Sequence, residues 1–159
     1  IVNQINIFRL NTIIIYPNND PFSDNLIKYY NSIKKRNNIE LIKNLPFKLY
    51  LSLLKNSKFL IGNSSGGIIE TPTLGIPNLL IGYRQLGREI ANNTLTSNLT
   101  IKGISKIIAK SLNDKKFLRK CKLKQNPYFK KDQIFPSKQI VNILKSKNIK
   151  DIKYKQIAF

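Results

Sequence analysis

Two serines, a pair of glycines and a glutamate fall close together in this chain, as Ser64, Ser65, Gly66, Gly67 and Glu70. Hydroxyl donors and backbone N–H groups beside glycines make a surface that an anion such as a phosphate can approach closely. The same residues also suit an ordinary tight strand-to-helix turn with serine caps. Glu70, about one turn into the following helix, can accept both hydroxyls of a ribose, or can complement the start of the helix. Further on, Arg84 and Arg88 offer guanidinium forks that match phosphate or carboxylate oxygens two at a time. A loop salt bridge, for instance with Glu89, is their alternative role.

What the chain lacks narrows the chemistry. It has no histidine and one cysteine, Cys121, so a Ser-His-Asp triad, a Cys/His metal cluster and an internal disulfide are all excluded within these residues. No metal and no cofactor is expected. Acids and bases are limited to Asp20, Asp24, Asp114, Asp132, Asp151, Glu40, Glu70 and Glu89, and their spacing suggests no carboxylate pair. The glycine-rich run is neither a Walker loop nor a dinucleotide GxGxxG fingerprint. From its residues alone, the chain reads as an α/β domain that grips a nucleotide or a sugar phosphate.

Bringing these groups together falls to short strands alternating with helices. A β-branched strand over 12–16 ends at Pro17. A helix capped by Ser23 or Asp24 follows, with Leu26, Ile27, Tyr30 and Ile33 on one face. A second strand spans 39–42. Leu45 and Pro46 open a helix whose apolar residues include Leu49, Leu51, Leu53 and Leu54. A strand over 59–61 leads into the glycine-rich turn, then into a helix over 67–74 that Pro72 kinks or ends and Gly75 closes. A fourth strand covers 77–81, a polar loop 82–93 and a fifth strand 94–96. Thr100 caps a helix with Ile104, Ile107, Ile108 and Leu112 inward. Residues 117–123 are helical, Asn126 and Pro127 break the pattern, and a last helix begins at 139–144. The expected fold class is α/β, a Rossmann-like parallel sheet with helices on both faces. Ligands in such folds bind beyond the carboxyl ends of the strands. Asn18, Leu45 with Pro46, residues 63–67 (Asn63 to Gly67) and residues 83–88 all follow strands, so they are expected to converge.

The bulk numbers set limits. At 159 residues and 42% hydrophobic content, the chain suffices for one packed domain. No apolar run reaches the roughly 18 residues of a membrane span. The formal charge is +20, but the lysines are scattered and no stacked-aromatic RNA-binding pattern accompanies them; nucleic acid is not the expected partner. The absence of methionine reads as a fragment whose start lies upstream of Ile1, with residues 148–159 as a basic tail. The lone cysteine fits a reducing, cytoplasmic setting.

The run GNSSGGIIETPTLGIPNLLIGYRQLGRE (62–89), with IIIYPNNDPFS (13–23) and NLPFKLYLSLLKNS (44–57), closely resembles the C-terminal domain of hydrolysing UDP-N-acetylglucosamine 2-epimerases of the sialic and legionaminic acid pathways. The likeness is weaker at NPY (126–128) and beyond. It implies one half of a GT-B architecture, with UDP in the cleft between two Rossmann-like domains. It further implies that Ser64 and Ser65 hold the diphosphate and Glu70 the ribose. Asn18 and Arg84 would line the phosphate and sugar side, Leu45 and Pro46 would border the uracil, and Gln85, Gly87 and Arg88 would shape the same loop. In this family UDP is eliminated and water then adds with inversion at C2. The carboxylates and histidine for those steps are expected in a missing N-terminal domain, leaving no catalytic residue here and a fragment inactive alone. A homo-oligomer is expected for the full-length protein. Where the family has a GDG turn after NPY, this chain has no glycine in residues 129–137. A GT-B glycosyltransferase, a non-hydrolysing epimerase and, from another class, a basic nucleic-acid-binding module are the competing readings.

Overall fold

All four residues of Thr12–Ile15 are β-branched, which favours a strand over a helix, and they form β1. In this computed structural model, which describes residues 1–17, 23–34, 36–129 and 135–146, β1 pairs in parallel with β2, Ile39–Ile42. A second group of parallel strands contains β3 (Leu60–Gly62), β4 (Asn78–Ile81) and β5 (Thr94–Ser97), in the spatial order β3-β4-β5. The α/β class with parallel strands is therefore as expected. Among the described residues the five strands hydrogen-bond in two groups, of two and three. Asn18, residues 130–134 of the segment after NPY, and the tail at 148–159 lie outside the described residues.

Every residue of β4 is buried, because helices cover both of its faces. Leu79 and Ile81 pack on α6 (Ile101–Asn113) through Ile104, Ile107 and Ile108. From the opposite face, α4 (Ser65–Ile69) contacts β3 and β4. Ile68, Leu79 and Ile108 are each fully buried, and burial of such a side chain contributes about 1.5–3 kcal/mol. The cap predicted for α6 is present: Thr100 Oγ1 accepts from the Gly103 N–H at 3.2 Å. Asp114 Oδ1 does the same for Phe117 N at the start of α7, Lys115–Lys122, and Cys121 on that helix is buried.

The two-stranded group is finished on one face. Ile39 forms a small core with Val2 and Ile33, joined by Ile14, Leu41 and Tyr30. Val2 comes from α1 (Val2–Ile7), a helix the sequence pattern did not disclose. Ile33 closes α2 (Ser23–Ile33). The alternate residues Ile13 and Ile15 remain exposed, at 41% and 37%. One assignment to an apolar face is corrected by burial: Leu26 faces solvent. Leu49 is exposed too, and Leu54 is the buried residue of α3, Phe47–Lys55.

The single helix expected over 67–74 is two: α4, and α5 at Thr71–Leu74. The break falls before Pro72, not at it. Proline has no N–H with which to continue the ladder and is favoured in a first helical turn, so the chain ends one helix at Glu70 and starts another. Gly75 then closes α5 with φ 72°, the left-handed conformation its sequence position called for. The last helix, α8, runs from Pro136 to Ser146. No helix among the described residues is long and apolar enough to cross a membrane.

Candidate functional site

The turn after β3 positions Ser64 as the cap of α4. Its Oγ accepts from the Gly66 N–H at 3.3 Å, which leaves the hydroxyl proton for an outward acceptor. Asn63 and Ser64 are exposed, Ser65 and Gly66 half-buried, and Gly67 buried. With five residues, α4 is little more than one turn, so its dipole is short; side-chain hydroxyls and turn N–H groups are its means of holding an anion.

The glycine pair has a second use that sequence reasoning missed. A Cβ on Gly66 would lie 2.5 Å from Glu70 Oε2 and 3.2 Å from the Tyr50 hydroxyl. One on Gly67 would lie 2.4 Å from Asn78 Oδ1. Both missing methyl groups therefore make room for polar side chains of the fold itself. Behind them, Thr71 Oγ1 donates to the Gly67 carbonyl, and Asn93 Nδ2 donates to Thr71 Oγ1 at 2.8 Å and to the Ile76 carbonyl at 2.6 Å.

Glu70 stands at the junction of α4 and α5. The Tyr50 hydroxyl, one turn into α3, lies beside its carboxylate, and the two bound the space that a Cβ on Gly66 would fill. Glu70 Oε2 is buried and has no hydrogen-bond partner among the described residues. Burial raises the Glu70 pKa, and the neighbouring Tyr50 hydroxyl partly opposes that rise. Tyr50 is pushed up to about 12, first by burial and then by the neighbouring carboxylate. Phe47, exposed at the start of α3, stacks on Tyr50 with ring centres 6.4 Å apart. Leu45 is half-buried and Pro46 exposed just before it, with the Pro46 carbonyl accepting from Tyr50 N.

Gln85 is the other residue whose place the sequence did not reveal. It is only 5% exposed, and its Nε2 donates to the Asn63 carbonyl at 2.8 Å. Its Oε1 is buried without a partner among the described residues. This bond ties the loop after β4 to the turn after β3. Arg84 and Arg88 are exposed on the tied loop, which turns through Leu86 N to Tyr83 O and Arg88 N to Gln85 O. Gly87 holds φ 79° there.

The NPY segment braces the same region. Asn126 Nδ2 donates to the Ile69 carbonyl at 2.9 Å and to Thr73 Oγ1 at 2.7 Å, bridging the two helices that flank Glu70. Tyr128 donates its hydroxyl to the Glu89 carbonyl at 2.9 Å. Contacts thus link three of the four segments expected to converge, those at 45–46 through α3, 63–67 and 83–88. Among the described residues no cluster of His, Cys, Asp and Glu gathers that could hold a metal ion.

Comparison with known proteins places this arrangement. The chain is 33% identical over 109 residues to the UDP-N-acetylglucosamine 2-epimerase of Neisseria meningitidis serogroup B, a stretch covering 67% of this chain and 28% of that protein. It is 37% identical over 109 residues to the polysialic acid biosynthesis protein P7 of Escherichia coli, covering 65% and 26%. Over 66 residues it is 42% identical to the GDP/UDP-N,N'-diacetylbacillosamine 2-epimerase (hydrolyzing) of Campylobacter jejuni, covering 42% and 17%. These matches span less than a third of each relative's length. The fold is that of the S. aureus MnaA–UDP co-structure, with a TM-score of 0.68 at 22% identity over 99% of this chain and 41% of that one. The family model described as UDP-N-acetylglucosamine 2-epimerase matches residues 1–145, and the chain belongs to that family.

Proposed function

We propose that this chain is the nucleotide-holding part of a hydrolysing 2-epimerase, one that converts UDP-N-acetylglucosamine or a related UDP-acetamido sugar to the free 2-epimer and UDP. The observation that carries the reading is Glu70: a half-buried carboxylate with one buried oxygen that has no partner among the described residues, beside a serine-capped turn. A buried acceptor without a donor is costly unless a ligand supplies the donor, and a ribose hydroxyl does so. Ser64 and Ser65 then face the diphosphate, with Arg84 and Arg88 neutralising charge that grows on UDP as it leaves. Asn63, Gly66 and Gly67 shape the turn, Leu45 and Pro46 border the base, and Gln85 fixes the loops rather than touching the nucleotide. Asn18 completes the sugar side in this proposal.

Proton transfer is assigned elsewhere. Abstraction beside an acetamido-bearing carbon needs a base poised near neutral pH. The chain has no histidine, and Glu70, whose pKa burial raises, is assigned here to the ribose. We therefore assign the proton-transferring groups to a further domain of the same polypeptide. The hydrolysing assignment draws support from the named activities of the Campylobacter jejuni and Legionella pneumophila relatives.

Calorimetric titration with UDP tests the nucleotide site. Saturable binding that falls about tenfold or more in Glu70→Ala, as loss of a charged hydrogen bond predicts, is the expected result; binding unchanged in that variant overturns the assignment of Glu70. Product analysis on the full-length protein tests the reaction. Free N-acetylmannosamine-type sugar with UDP is expected, whereas an intact UDP-linked epimer would exclude the hydrolysing route.

A further inference from the structure

We infer that Asn126 is a positioning residue for nucleotide recognition: its side-chain amide clamps the helix break that presents the Glu70 carboxylate. The inference rests on the reading of Glu70 as the ribose acceptor and extends it to a segment far along the chain. Three observations carry it. Glu70 is the single residue between α4 and α5. Asn126 Nδ2 donates to the Ile69 carbonyl at 2.9 Å, on the last residue of α4, and to Thr73 Oγ1 at 2.7 Å, on α5. Asn126 is itself held, because its Oδ1 accepts from Tyr128 N at 2.9 Å and the Tyr128 hydroxyl donates to the Glu89 carbonyl at 2.9 Å.

The break needs such a clamp. Helix α4 has five residues and α5 four, each well short of the length at which a helix is stable on its own. Pro72 has no N–H, so it returns no ladder bond to the Ile68 carbonyl across the break. The last carbonyls of a helix lack a donor within it, and Asn126 supplies one to Ile69 from a separate segment. On the interior side Thr71 bonds the Gly67 carbonyl. Asn126 fastens the solvent side, where Ile69 and Thr73 are exposed. Between these two ties the backbone of Glu70 is fixed relative to the serine-capped turn, and its carboxylate is carried with it. A ligand that gives Glu70 a hydroxyl therefore senses Asn126 without touching it, and a ligand lacking that hydroxyl does not.

The test is calorimetric titration of the full-length protein with UDP and with 2′,3′-dideoxy-UDP, for wild type, Asn126→Ala and Thr73→Val, with thermal melts alongside. Wild type is expected to prefer UDP by about tenfold or more, the worth of a hydrogen bond to a charged group. Asn126→Ala removes both clamping donors; it is expected to shrink the preference to about threefold, on the scale of a weakened bond, while affinity for the dideoxy ligand is unchanged. Thr73→Val keeps the side-chain shape at an exposed position and removes one of the two acceptors, so a drop in preference of about twofold is expected. That variant decides the matter if Asn126→Ala fails to fold. A full preference in every variant that folds overturns the inference, as does an equal loss for both ligands, which marks a merely structural brace. Wild-type protein that binds UDP without preference, or does not bind it, overturns the reading of Glu70 and the inference with it.

Discussion

Thr71 and Glu70 are neighbours in sequence at the same helix break, yet they head opposite kinds of polar cluster. Around Thr71 the groups serve one another: its hydroxyl donates to Gly67 and accepts from Asn93, which also donates to Ile76. One acceptor there, Asn93 Oδ1, is left over. Around Glu70 and Gln85 the balance tips outward. Gln85 is anchored on Asn63, Glu70 lies beside Tyr50, and each keeps an oxygen with no partner among the described residues. The first cluster stabilises the break; the second, in the proposed function, receives the nucleotide. A fold can carry the second because the first holds the backbone still beneath it.

The contrast can be broken most forcefully at Asn93. Asn93→Ala leaves the Ile76 carbonyl without that donor and strips Thr71 of its own. Denaturant unfolding is expected to show a loss of about 2–3 kcal/mol; a loss below half of that would mean the closed cluster does not stabilise the break. Thr71→Val preserves shape and removes only the hydroxyl, so a smaller loss, about 1–2 kcal/mol, is expected by the same measurement.

The smallest effect has the opposite sign. The folded-state pKa of Glu70 is raised, so between the ordinary carboxylate value and that raised value the folded protein binds more protons than the unfolded one. Stability therefore falls as pH rises through this window. Above it the ionised Glu70 is a net burden, and Glu70→Gln is expected to melt slightly higher than wild type at neutral pH. The advantage should vanish below the ordinary carboxylate range, where both states are protonated. A lower melting temperature for Glu70→Gln at neutral pH would show that Glu70 belongs to the stabilising cluster after all.

Local chemistry made much of the fold legible. The limits of β2 are those the apolar run marks, Gly75 has the left-handed φ that a helix-ending glycine supplies, and Thr100 caps where a threonine before an amphipathic run should. Helix α1 was hidden because its Val, Asn, Gln and Ile residues match the background of the whole chain. Tyr50 was hidden for another reason: helical periodicity places it among leucines, and only the approach of α3 to the α4–α5 break brings its hydroxyl beside Glu70. The sole local hint was an aromatic pair at i and i+3, Phe47 and Tyr50. A glutamine in a loop reads as solvent-facing, so Gln85 could be assigned to the correct loop but not to its buried bond. The glycine pair was recognised, while its service to Glu70 and Asn78 depends on side chains that meet only in three dimensions.

The bond from Gln85 to Asn63 has a mechanical consequence. Two loops that leave different strands are fastened together by a buried glutamine side chain. An arriving molecule meets one wall, not a pair of flaps that could part independently. In the proposed function, an opening that releases the nucleotide carries both loops together or first breaks this bond.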